Sequence, residues 1–193
     1  TTLPTISFTS TSSSGLESVA SPTFSVTLST TPTRNITVPY SITGGTATGD
    51  GGDYLLAAGT LTWNAGDDTT KTISLTVIED GIDENNETII VSLGSPTSAS
   101  LGINTSHTYT IIDNDPPPTV SFESTGASAS EVSTNVSIPV SLSSVSNFVA
   151  TIDYSVTGGT AIGNGVDYTL AAGTLTFPAG TTTQNISLVL NND

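Results

Sequence analysis

The chain repeats itself at an interval the size of a small domain, and this limits its possible folds more than any other feature. Residues 40–66 read YSITGGTATGDGGDYLLAAGTLTWNAG, and residues 154–180 read YSVTGGTAIGNGVDYTLAAGTLTFPAG, an offset of 154 − 40 = 114 residues. The same offset carries PTISF at 4–8 onto PTVSF at 118–122, and Glu17 onto Glu131, without a gap. Solenoid units run to roughly 20–50 residues, so a period this long marks a whole domain in tandem. The first copy spans 1–115, a Pro-Pro-Pro joint occupies 116–118, and the second copy spans 119–193. A triple proline is stiff and extended, and serves at least as a spacer.

Each copy is written in short runs of Val, Ile, Thr and aromatic residues separated by Gly-rich turns, with no helical period. Seven strands are predicted in the first copy, over 5–9, 23–29, 36–43, 60–63, 71–78, 88–93 and 108–112. The run ISLTVI at 73–78 puts Ile73, Leu75 and Val77 on one face with Ser74 and Thr76 on the other, as in a strand with one face in a core and one in water. Seven such strands in a domain of this size predict an all-β chain of immunoglobulin-like antiparallel sandwiches in tandem. Trp63 and Phe177 hold equivalent positions between apolar neighbours and are expected to anchor the two cores.

The second copy is incomplete by this alignment. After Gly180 it runs one residue shorter, so Ile186, Leu188 and Leu190 stand where Ile73, Leu75 and Val77 stood, and Asp193 aligns with Asp80. It therefore lacks counterparts of the last two strands, which should expose apolar residues around Ile152, Tyr154 and Val156. Two accounts follow: the chain is an excerpt of a longer polypeptide, or a neighbouring molecule donates the missing strands. The break inside a strand-end motif favours the excerpt.

Acidic residues number 17 against two basic ones, Arg34 and Lys71. Such a surface suits neither nucleic acid nor anionic lipid, and it attracts cations. There is no cysteine, hence no disulfide and no thiolate metal site. No apolar run has the length of a membrane span, and no signal peptide is visible. A lysine-poor, Thr/Ser-rich repeat is expected in an extracellular or cell-surface protein of a bacterium.

Twelve of the 17 acids lie in the first copy, and nine of these fall in four places: Glu17; Asp53; Glu79, Asp80, Asp83, Glu84 and Glu87; and Asp113 with Asp115. These places are the first, third and fifth connections and the exit from the seventh strand. Alternate connections of an antiparallel sandwich share an end, so all four are expected to converge on one pole. Carboxylates crowded this way need a counter-charge. Many hard oxygens of irregular spacing suit Ca²⁺, whereas Zn²⁺ would want Cys or His, and His107 is the only histidine.

Glu17, GGTATGDGGDY, AGTLTW-x-AG, VIEDGIDENNET and the closing TIIDND together resemble the Calx-beta domain, the module of sodium/calcium exchangers, integrin β4 and long bacterial surface proteins. The resemblance covers the first copy and the second as far as Asp193. It implies an immunoglobulin-like sandwich that binds Ca²⁺ through its distal loops, with ligands at Glu17, Asp53, Glu79, Asp80, Glu84, Glu87, Asp113 and Asp115. Asp83 is not at a position the family assigns. Asn114 and Gly81 stand where the exchanger version has acids, which implies fewer ions. In the second copy Glu131, Asp167 and Asp193 occupy ligand positions, while Asn192 stands where Glu79 stood.

Enzymatic chemistry finds little footing. His107 opens a predicted strand with no G-x-S-x-G nearby, so a strand-edge role is expected for it. Paired carboxylates could serve glycoside hydrolysis, but no aromatic-lined cleft is evident. The expectation is a non-enzymatic, Ca²⁺-binding structural module of a stalk, adhesin or fibre, with Ca²⁺ at the joints. Its partners would be further copies in the same or neighbouring chains, up to a homopolymer. The alternatives are a loop-based binder of carbohydrate or protein, and a regulatory Ca²⁺ sensor.

Overall fold

A computed structural model describes residues 2–192. Every element in it is a strand. The chain divides into two compact units: residues 1–80 with 85–114, and residues 81–84 with 115–193.

The first unit contains β1 (Thr5–Phe8), β2 (Ser12–Leu16), β3 (Thr23–Leu28), β4 (Ile36–Gly45), β5 (Tyr54–Leu55), β6 (Gly59–Trp63), β7 (Thr70–Ser74), β8 (Thr76–Val77), β9 (Glu87–Leu93), β10 (Ser100–Leu101) and β11 (Ser106–Ile112). One sheet runs β10-β1-β3-β7 and the other β2-β11-β9-β4-β6, with β5 and β8 forming a small pair. Alternation explains the burial. Phe24, Val26 and Leu28 of β3 point inward, as do Ile89, Val91 and Leu93 of β9. Trp63 is 0% exposed, and its indole Nε1–H donates to the Thr69 carbonyl at 3.1 Å. Eighteen buried apolar residues form this core. The architecture is the all-β, two-sheet sandwich expected.

The seven predicted strands are present, and the structure adds three short ones and one break. β2 is an edge strand of composition SSSGL with no buried residue, so hydrophobic alternation could not reveal it. β5 and β10 are two residues each. The predicted fifth strand divides at Leu75 into β7 and β8. Leu75 N–H donates to the carbonyl of Pro22, a residue with no N–H to return, and the β3–β7 ladder stops there.

The second unit contains β12 (Val120–Phe122), β13 (Asn135–Leu142), β14 (Ala150–Tyr154), β15 (Tyr168–Thr169), β16 (Gly173–Phe177) and β17 (Thr183–Leu190). Its sheets are β12-β13-β17-β15 and β14-β16. Val140, Leu175, Phe177 and Ile186 form its core. Among the described residues β14 pairs with β16 alone, whereas its counterpart β4 lies between β6 and β9. An open apolar cleft of about 420 Å³ beside β14 is lined by Phe122, Val140, Ile152, Tyr154 and Leu175. The stretch 81–84 belongs to this unit: Ser146, 4% exposed, donates its hydroxyl to Asp83 Oδ2 at 2.7 Å, and Asn147 N–H donates to the Asp83 carbonyl at 3.0 Å.

The repeat extends to backbone conformation. Gly45 and Gly159 have φ of 126° and 128°, and Asp50 and Asn164 both have φ of 58°. In each copy an aspartate closes this turn: Asp53 Oδ2 accepts from Thr48 N–H, and Asp167 Oδ2 accepts from Ile162 N–H at 2.6 Å.

Candidate metal centre

Strand geometry decides which acids meet. β2 ends at Leu16, so Glu17 follows directly, with its N–H bound to the Ile112 carbonyl at 3.1 Å and its side chain 4% exposed. Asp80 follows β8 after two residues, and Asp115 follows β11 after two. One carboxylate oxygen from each of Glu17, Asp80 and Asp115 lies within 4.8 Å of the other two. A second group of the same tightness joins Asp53, from the turn before β5, with Glu84 and with Glu87, the first residue of β9. All six residues lie within 1–115, the first copy of the repeat.

Two unit charges about 5 Å apart repel by about 3 kcal/mol at an effective dielectric near 20, so three such carboxylates together favour a cation. Asp53, Glu84 and Glu87 are each half-buried, which limits screening by water. Tyr54, buried beside this group, has its phenol pKa raised, first by burial and then by the negative charges of Asp50 and Asp53. The donor set is oxygen only. Three carboxylates can supply up to six oxygens, and the hard, many-ligand preference of Ca²⁺ fits them. Zn²⁺ fits poorly, because neither group contains His or Cys.

The structure treats the other expected ligands differently. Glu79 is exposed, lies in neither group, and accepts from Asn114 Nδ2 at 3.0 Å. Asp113 also lies in neither group, and its N–H donates to Asn86 Oδ1 at 3.1 Å. Glu131 is exposed, Asp167 closes its turn, and neither belongs to a group among the described residues. Asp193 lies outside the described residues.

His107 is not at a strand edge, as its position had suggested. It is 2% exposed, with ring centroids of Phe8 and Phe24 at 5.6 and 4.6 Å. The alternation of SHTYTII, which buries His107, Tyr109 and Ile111 together, carried that signal.

Two sheets around a common core, with carboxylates gathered from connections far apart in the chain, define an immunoglobulin-like sandwich with acidic loops. The sequence profile of the Calx-beta domain matches residues 1–115 and again 113–193, and the chain belongs to that family, carrying its domain in tandem. No curated protein matches the sequence. Among solved structures, it is similar to CBD12 from CALX1.2, with a TM-score of 0.55 and 20% identity over 96% of this chain and 74% of that one. The calcium binding domain CBD12 of CALX1.1 gives a TM-score of 0.54 and 20% identity over 97% and 76%. The apo form of the Calx CBD1 domain gives 0.54 and 21% over 58% of this chain and 99% of that one. At these identities the likeness is one of fold. Among the described residues no helix is long and apolar enough to cross a membrane.

Proposed function

We propose that this chain is a calcium-binding structural repeat, built into an extracellular stalk, adhesin or fibre of a bacterium. The observation that carries the reading is the meeting of Glu17, Asp80 and Asp115, and of Asp53, Glu84 and Glu87, from segments far apart in the chain. Membership of a family whose solved relatives include a named calcium binding domain supports the choice of ion. Each group supplies carboxylates to one cation, whose charge offsets their mutual repulsion. Extracellular Ca²⁺ is millimolar, so sites with Kd of about 10⁻⁴ to 10⁻³ M would be filled. Asp115 stands one residue before Pro116–Pro118, so an ion held there also holds the exit from the first copy. Partners on this reading are further copies of the module, in the same chain or in neighbours.

Calorimetric titration tests the reading. Two classes of Ca²⁺ site are expected, and Glu17→Gln should abolish one of them and leave the other. Absence of heat at millimolar Ca²⁺, with an unchanged melting temperature, would refute it. Small-angle scattering tests the joint: the two-copy chain should be longer and narrower with Ca²⁺ than with chelator, and identical curves would leave stiffness to the prolines alone.

A further inference from the structure

β2 has no obvious means of staying in place. None of its five residues is buried, so no apolar face holds it to the core. Among the described residues its sole ladder is a parallel one with β11, running from Thr108↔Ser12 to Ile112↔Leu16. Two inward side chains of β11 reinforce that ladder. His107 Nδ1 lies 2.8 Å from the Ser10 carbonyl oxygen, so Nδ1 carries the proton and donates. Nε2 is then free to accept from the Ser13 hydroxyl at 2.7 Å. Tyr109, 1% exposed, lies against Gly15 so closely that a Cβ there would stand 2.4 Å from its hydroxyl. The strand is thus gripped at Ser10, Ser13 and Gly15, and the residue that leaves it is Glu17.

The second copy offers a comparison inside the same chain. Residues 124–131, equivalent to 10–17 at the 114-residue offset, form no strand and are exposed throughout. Glu131 is exposed where Glu17 is 4% exposed. No strand among the described residues plays the part of β11 there. The stretch is thus placed where β11 grips Ser13 and Gly15, and unplaced where Ala127 and Ala129 stand at those two positions and no β11 is present.

We propose that His107 and Tyr109 are positioning residues for Glu17: they fix the register of β2 on β11 and so hold the Glu17 carboxylate beside those of Asp80 and Asp115. The proposal rests on reading that trio as a cation site. It gives the buried histidine a task at a distance, since its hydrogen bonds go to Ser10 and Ser13 rather than to a carboxylate.

The test uses the whole chain with four variants: Ser13→Ala, which changes only a surface hydroxyl; Gly15→Ala; His107→Phe, which keeps an aromatic ring and loses both hydrogen bonds; and His107→Gln, which can restore them. In the metal-free chain, amide exchange at Glu17 and along β2 should accelerate at least tenfold in the first three, with β3 and β9 unchanged. On Ca²⁺ titration, one class of site should weaken by about tenfold or more, the range for residues that orient metal ligands, while the class at Asp53, Glu84 and Glu87 holds. His107→Gln should recover part of both losses. Unchanged exchange along β2 would overturn the proposal, as would equal weakening of both classes with protection lost everywhere. If the unmodified chain takes up no Ca²⁺, the cation reading falls, and Glu17 exchange in the metal-free variants still decides the pinning.

Discussion

Trp63 and Phe177 fill one position in two copies, and the pair sets a scale for single residues in these cores. Both are essentially unexposed, at 0% and 1%. Trp63→Ala should cost about 3–5 kcal/mol by chemical denaturation, the range for emptying a large aromatic site. Trp63→Phe should cost clearly less, since the second copy accommodates Phe there, the loss including the bond to Thr69. Asp67 gives a prediction in pH. Its pKa lies below the usual 3.8, held down first by the Asn64 N–H and then by Lys71, whose Nζ is 3.1 Å away. A carboxylate depressed on folding stabilises fully above its unfolded pKa, and that share is lost as pH falls through the folded value. Asp67→Asn should therefore be less stable than the unmodified chain at neutral pH, with the gap closing only below about pH 3.8; a pH-independent gap would contradict the assignment. The aromatic anchors were legible in the sequence because repetition and alternation coincide on them. The acids were legible only as a neighbourhood. Consecutive residues of an extended chain point to opposite sides, so Glu79 and Asp80 could not both face Glu17, and only the register settles which one does.

At the scale of elements, the sequence revealed the first copy's strands that alternate buried and exposed residues, and missed three short ones: β2 and β10 bury nothing, and β5, two residues long, buries only Tyr54. β2, β5 and β10 are held by ladders rather than apolar alternation, and ladders between distant segments leave no local trace. The division of the predicted fifth strand has a visible cause in Pro22, but only once Leu75 is known to lie opposite it. The connection after β4 yields a prediction from the repeat. Gly45 and Gly159 share a positive φ near 127°, yet a Cβ on Gly45 would stand 2.1 Å from the Thr88 carbonyl, while one on Gly159 would meet nothing within 4 Å. Gly159→Ala should cost only the backbone strain, of about 1–2 kcal/mol. Gly45→Ala should cost more, because β9 must also give way. Equal losses in paired melting experiments would show that the β4–β9 contact contributes nothing.

For the whole molecule, the two copies should respond unequally to calcium. Both carboxylate groups fall within residues 1–115, the first copy by sequence, while neither Asp167 nor Glu131 belongs to such a group among the described residues. An ion that binds only the folded form adds about 2.7 kcal/mol when present at 100 times its Kd. Differential scanning calorimetry should then show one transition moving upward with Ca²⁺ and another staying still; a common shift would mean that the copies unfold together or that the second also binds. The formal net charge of −15 adds a salt dependence in the same direction, since counter-ions relieve self-repulsion. The parallel pairing of β2 with β11 has a further consequence, in time. Ser12 and Thr108 are 108 − 12 = 96 residues apart, so this ladder closes the longest kind of loop the domain contains. During synthesis Glu17 leaves the ribosome early and waits for almost the entire domain before a partner strand exists for it. On the proposed reading, uptake at Glu17, Asp80 and Asp115 would then come after uptake at Asp53, Glu84 and Glu87, and would report that synthesis has passed Asp115.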